Sequence, residues 1–215
     1  MKRSSTTTSG LCWGGVLLVF NPLPMETLSA LLRKPGTYTP FKKSDIYTAL
    51  RPLHSLLLIP DSEDDPVQVL HKSLPDFLTE PGRCKDERFF INPPIHHQEI
   101  LLSCLNLMKE RLRRNICNLD DYAILSEVGD ISARRKEHIG GTLKYACCFW
   151  TKHLVEIPSG SHDVEEVLEA IDNFFTTCLL SWIEVLVVME SPDVGVYAIN
   201  DVRQWYISVS SEWFV

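Results

Sequence analysis

Apolar residues recur along this chain mostly at helical spacing and seldom in strict alternation. Residues 11–20 form a short apolar run stopped by Pro22 and Pro24, which predicts a first helix. Leu28, Leu31 and Leu32 share one face of a second helix over residues 25–32. Ile46, Ala49, Leu50, Leu53 and Leu57 mark a third over 44–57, opened by Ser44 or Asp45 and kinked or stopped early at Pro52. The pattern then changes. Residues 56–59 and 67–70 are β-prone runs on either side of the polar turn 60–66, which predicts a hairpin. Three short helices followed by a hairpin is the order of a winged helix.

The second half is more uniformly helical. Residues 95–114 predict an amphipathic helix, with Leu101, Leu105, Met108 and Leu112 on one stripe and the basic residues mostly off it. Residues 132–157 and 163–189 predict two longer helices, divided by Pro158-Ser-Gly-Ser; Asp163, Glu165 and Glu166 suit the positive end of the second. Residues 193–208 predict one more. Leu143, Ala146, Trp150 and Leu154 are echoed at an offset of 32 by Phe175, Cys178, Trp182 and Leu186, a period found in helical repeats. Adjacent amphipathic helices give the same echo, so a helical bundle and a short helical-repeat array both fit.

The expected fold is therefore mainly α: a winged-helix-like domain over 11–80 with a small β-hairpin, a linker over 81–94 rich in charge and proline, and an α-helical domain over 95–215. Residues 1–10 are polar and expected to be disordered. The final Trp213-Phe214-Val215 reads as an element cut short or a docked tail.

Composition narrows the function classes. With 45% hydrophobic and 23% charged residues in 215, the chain is globular in character. Seven cysteines, odd in number and without a C-x-x-C pair, fit a reducing compartment, with the cytoplasm as the expected location. No apolar stretch reaches the length of a membrane span, so no membrane partner is expected. A net charge of −7 is a poor start for nucleic-acid binding. The hairpin turn adds Asp61, Glu63, Asp64 and Asp65, which would face and repel phosphates.

Catalytic and metal motifs are wanting. G-x-x-x-x-G-K-[ST], G-x-G-x-x-G, H-E-x-x-H and G-x-S-x-G do not occur. His96, His97 and Glu99 suggest a metal, but in a helix His97 points about 100° away from His96, and a solvated helix start is the preferred reading. Cys147 and Cys148 also lie on different faces. Gly140-Gly141 reads as a kink or a close helix contact. No catalytic residue, metal ligand or cofactor is expected within this chain.

Phe20-Asn-Pro-Leu-Pro24, Ile46-Tyr-Thr-Ala-Leu50, Leu53-His-Ser-Leu-Leu57 and Val69-Leu-His-Lys-Ser-Leu-Pro-Asp-Phe-Leu78 form an ordered set. Together they resemble the segment that follows the nucleotide-binding domain in fungal NACHT proteins, which are NLR-like signal-transduction NTPases of the STAND class. Pro81-Gly-Arg-Cys-Lys-Asp-Glu-Arg-Phe-Phe90, Asn118-Leu-Asp-Asp-Tyr122 and Tyr145-Ala-Cys-Cys-Phe-Trp150 resemble the helical region beyond it in basidiomycete members. The resemblance implies a regulatory segment, or a fragment, that couples nucleotide state to sensor repeats. ADP or ATP would be bound only with an upstream NACHT domain, which would be its partner. It also implies that His71 contacts the nucleotide phosphates; a capping or packing histidine is the alternative. Ser73 is expected to cap the helix after the hairpin. A stand-alone helical protein–protein scaffold is the other reading of the whole chain.

Overall fold

The computed structural model describes residues 8–33, 39–161 and 163–212. The chain is mainly helical and divides into two compact units, Met1–Ile100 and Leu101–Val215. The expected disordered start and the terminal aromatic residues lie outside the described residues, apart from positions 8–10, which open the first helix.

In the first unit, α1 (Thr8–Leu17), α2 (Met25–Leu31) and α3 (Lys43–Leu50) precede a 3-10 turn at Arg51–Leu53. Pro52 stops α3 early, since it cannot donate in a continuing α-helix. Strands β1 (Leu57–Leu58) and β2 (Gln68–Val69) pair antiparallel, Leu57 with Val69 and Leu58 with Gln68. The hairpin is thus present where it was expected but shorter. Val67 N–H also bonds Leu23 O at 3.0 Å, which ties the segment before α2 to the strand. α4 (Ser73–Leu78) follows. Residues 81–94 belong to this unit, with Cys84 and Ile91 buried.

α1 packs on α3, where Trp13 Nε1 donates to Ala49 O at 2.6 Å. The Trp13 ring lies parallel to Phe89, centroids 5.3 Å apart. Gly14 and Gly15 of α1 make close approach possible. A Cβ on Gly14 would stand 2.5 Å from His96 Cδ2, and one on Gly15 2.5 Å from Leu32 Cδ2.

Helix α5 (Pro93–Arg111) contains the division at Ile100. In the second unit, α6 (Ile131–Arg134), a π-helical turn at Arg135–Ile139 and α7 (Gly140–Val155) replace the single helix expected over 132–157. The break is at Gly140, whose φ of 63° and ψ of 179° belong to a region open essentially to glycine. No side chain crowds it, for a Cβ there would meet nothing within 4 Å. At Gly140 the kink reading holds and the close-contact reading does not. Gly140→Ala is accordingly expected to lower stability by about 1–3 kcal/mol through backbone strain alone. A change under about 0.5 kcal/mol in urea unfolding would show that the turn relaxes instead.

The helix expected over 163–189 is also two: α8 (Val164–Thr177) and α9 (Leu179–Val188), bent by 72°. The sequence offers no proline or glycine here. The hydroxyls of Thr176 and Thr177 donate back to the carbonyls of Asp172 and Asn173, sharing acceptors in the last turn of α8, a pattern that bends helices. Among the described residues no single helix is long and apolar enough to cross a membrane; α8 and α9 pass that test only as a bent pair. After α9, Glu190 adopts φ 57°, with Ser191 N–H bonded to Leu186 O at 2.9 Å, a Schellman ending with Glu in place of the usual glycine. α10 (Pro192–Glu212) then begins on a proline, a good first helical residue.

The core of this unit is aromatic. Trp150, Trp182 and Phe174 are almost completely buried and meet at centroid distances of 4.7–6.0 Å. The 32-residue echo does not mark equivalent units. Its first copy lies within α7, whereas its second runs across the α8–α9 bend, and Phe175 is only half-buried beside the buried Phe174.

Candidate functional site

His71 stands between β2 and α4 and is exposed. The residue before it continues the hairpin, with Leu70 N–H bonded to Leu56 O at 3.0 Å, so the ring sits at a fixed distance from a paired strand. Its Nδ1 accepts from Ser73 N–H at 3.1 Å and lies 2.7 Å from Ser73 Oγ. A backbone N–H can only donate, which assigns Nδ1 as the acceptor and places the proton on Nε2. An exposed side chain therefore offers an Nε2–H donor from a ring held by two bonds at its other nitrogen.

This arrangement corrects the expected cap. Ser73 is the first residue of α4, and its own amide is satisfied by the His71 ring; no side-chain cap comes from the preceding Lys72. A serine caps from outside the helix, where its oxygen can reach amides two or three residues on. With Leu74 N–H already bonded to His71 O, the chain turns helical one residue too early for Ser73 to do so. The expected cap by Ser73 is thus not made, and the His71 ring instead satisfies the Ser73 amide.

Asp61, Glu63, Asp64 and Asp65 are all exposed on the turn between β1 and β2, as their sequence predicted. Glu63 pairs with Lys43 at 2.5 Å, anchoring the turn to the start of α3. Lys43 is held above its usual range by that hydrogen bond. The remaining three carboxylates leave a negative surface on the hairpin.

His96 and His97 are buried, against the expectation of a solvated helix start. The missing side chain at Gly14 lets α1 lie against the His96 ring, a consequence invisible in the local sequence of α5. His96 Nδ1 meets Glu99 Oε2 at 3.1 Å, the i,i+3 pairing that the sequence suggested. Among the described residues no group of three or more His, Cys, Asp or Glu could hold a metal ion. Burial, and then the neighbouring His96, push the pKa of His97 down to about 4. The unfolded chain therefore binds more protons between about pH 6.5 and pH 4, so stability falls as pH is lowered through that window. His97→Gln should flatten the fall in the urea midpoint between pH 7 and 5; an undiminished fall would assign it to another group.

All seven cysteines are unpaired, and Cys148 alone is not fully buried. Burial raises Cys12, the nearby Asp45 adding to it, to about 12, and also raises Cys104 and Cys147. A thiol kept protonated in this way is a poor nucleophile.

No family model and no solved structure matches the chain. The chain is similar to the vegetative incompatibility protein HET-E-1 of Podospora anserina, at 24% identity over 200 residues. The match takes in 86% of this chain and 14% of HET-E-1. The likeness is weak and spread over most of the chain, and it points to a NACHT-related, signalling-associated family at most.

Proposed function

We infer that this chain acts as a non-catalytic regulatory and interaction segment of a NACHT-type signal-transduction NTPase. The observation that carries the reading is the likeness to HET-E-1 along most of the chain rather than over one motif. In this reading the helices and hairpin of the first unit form a winged-helix-like module. It docks on a NACHT core and, with the helical unit, couples nucleotide state to sensor repeats. The chain binds no nucleotide by itself. The His71 Nε2–H donates to a phosphate oxygen of ADP held by the NACHT core, and the Ser73 contacts keep the donor on that nitrogen. The acidic hairpin turn fits a protein partner and not nucleic acid.

The test is the ADP off-rate of a NACHT domain joined upstream of this chain, with and without His71→Ala. A lost hydrogen bond to a charged group corresponds to roughly tenfold or more in off-rate. An unchanged off-rate would remove the phosphate role. A stand-alone protein-binding scaffold is the second reading, favoured by the exposed apolar Leu180, Val196 and Tyr197 of the second unit. It requires the chain to bind a partner equally well whatever nucleotide is present.

A further inference from the structure

The second unit holds an open groove of about 590 Å³ at the α8–α9 bend. That volume lies in the range of sites for small organic ligands and exceeds what a single amino acid fills. Phe175 of α8 and Leu179 and Leu180 of α9 form its apolar lining, and Leu180 is 81% exposed. Thr176 and Thr177 also line it, but their hydroxyls donate to carbonyls of α8. Its two charged groups are Arg114, from the turn after α5, and Glu184 of α9. Among the described residues, neither Arg114 nor Glu184 makes a hydrogen bond or an ion pair, with the other or with any third group.

Both charges stand on fixed backbone. Asn115, next to Arg114, uses its side-chain amide to bond the N–H and the C=O of Leu119, each at 2.7 Å. Arg134 clasps the chain just beyond, donating to Asn118 O at 2.6 Å and pairing with Asp130 at 2.9 Å. Glu184 is flanked on α9 by the buried Trp182, Val185 and Leu186, and the Trp182 indole is bonded to Cys147 O of α7.

This lining selects its ligand by exclusion. An anion would meet Glu184, and a cation would meet Arg114. A neutral apolar molecule would strip water from both charges and replace neither interaction. A ligand with one group of each sign and an apolar body satisfies both charges and the apolar surface at once. A guanidinium holds a carboxylate through two parallel hydrogen bonds, and a carboxylate accepts from an ammonium group. We propose that the groove binds a short peptide with both termini free and apolar side chains. Arg114 takes its carboxylate, Glu184 its ammonium group, and Phe175, Leu179 and Leu180 its side chains. The proposal goes beyond the nucleotide reading and does not depend on it.

Isothermal titration of the full chain with Leu-Ala-Leu tests this, beside its N-acetylated and C-amidated forms, Gly-Gly-Gly and leucine. The free tripeptide should bind saturably. Each capped form should bind roughly tenfold or more weakly, through loss of one charge-assisted contact. Gly-Gly-Gly keeps both charges but lacks the apolar side chains, and leucine fills less of the groove, so both should bind more weakly. Two variants assign the ends. Arg114→Gln should bind the free and the amidated tripeptide alike, and Glu184→Gln the free and the acetylated one. The proposal is overturned if the free tripeptide shows no saturable binding, or if capping leaves its binding undiminished. It is also overturned if the variants tell the capped forms apart as the parent does, or if Gly-Gly-Gly or leucine binds as tightly as Leu-Ala-Leu. Arg114 is exposed, so its variant should keep the parent's circular dichroism. Should Glu184→Gln lose it, the capped peptides on the parent chain still decide.

Discussion

Trp182→Ala should lower the unfolding free energy by about 3–5 kcal/mol, a large fraction of the stability of most proteins. Trp182 is completely buried on α9, packed edge-on to Trp150 and Phe174 at 6.0 and 5.5 Å. Its indole N–H donates to Cys147 O at 2.9 Å, so the side chain both fills space and satisfies a carbonyl of α7. Truncation leaves a cavity whose walls are rings held from three directions, which limits how far it can collapse. Trp182→Phe separates the two contributions. It keeps most of the apolar contact and removes the hydrogen bond, and should cost about 1–3 kcal/mol. Urea unfolding followed by circular dichroism gives both values. Equal losses for the two variants would show that the hydrogen bond, and not the packing, dominates. A loss below 1 kcal/mol for Trp182→Ala would contradict the packed aromatic core.

Apolar periodicity made Trp182 legible in advance as a core residue, as it did Leu101, Met108 and Ile46. Periodicity reports one face of one element, and those residues need nothing more to be placed. The hairpin was equally legible, since a polar turn between two short β-prone runs is a local pattern. Helix ends within long periodic stretches were less so. Thr176 and Thr177 bond backbone carbonyls in the last turn of α8, just before the bend, and consecutive threonines were a sign that could have been read. Gly140-Gly141 was read as a kink or contact, and only the backbone angles decide between them.

The candidate site shows the same limit. His71 was found through the resemblance, but which residue caps α4 depended on a one-residue difference in where the helix starts. Burial of His96 depended on a glycine some eighty residues away. The clasp made by Arg134 joins Asn118 and Asp130, positions that sequence spacing alone does not connect. The burial of His96 and the Arg134–Asn118 bond come from tertiary packing, which no local pattern encodes.

Gly14→Ala provides the sharpest test of that packing because its sign is reversed. In an exposed helix interior, replacing glycine by alanine stabilises by about 0.8–1.0 kcal/mol. At Gly14 the new methyl would stand 2.5 Å from Cδ2 and 2.7 Å from Cγ of His96, inside the contact distance of real atoms. The imidazole cannot easily swing aside, for it is buried and its Nδ1 is paired with Glu99. The substitution should therefore destabilise by about 1–3 kcal/mol, as overpacking does. His96→Ala alone should also destabilise, by leaving a cavity and an unpaired Glu99. The double variant should be more stable than the sum of the two losses, since the methyl then occupies the space that the ring vacates. A double-variant cycle measured by urea unfolding gives the coupling directly. If the two losses simply add, α1 and the His96 ring are not in contact, and the burial of that histidine needs another cause.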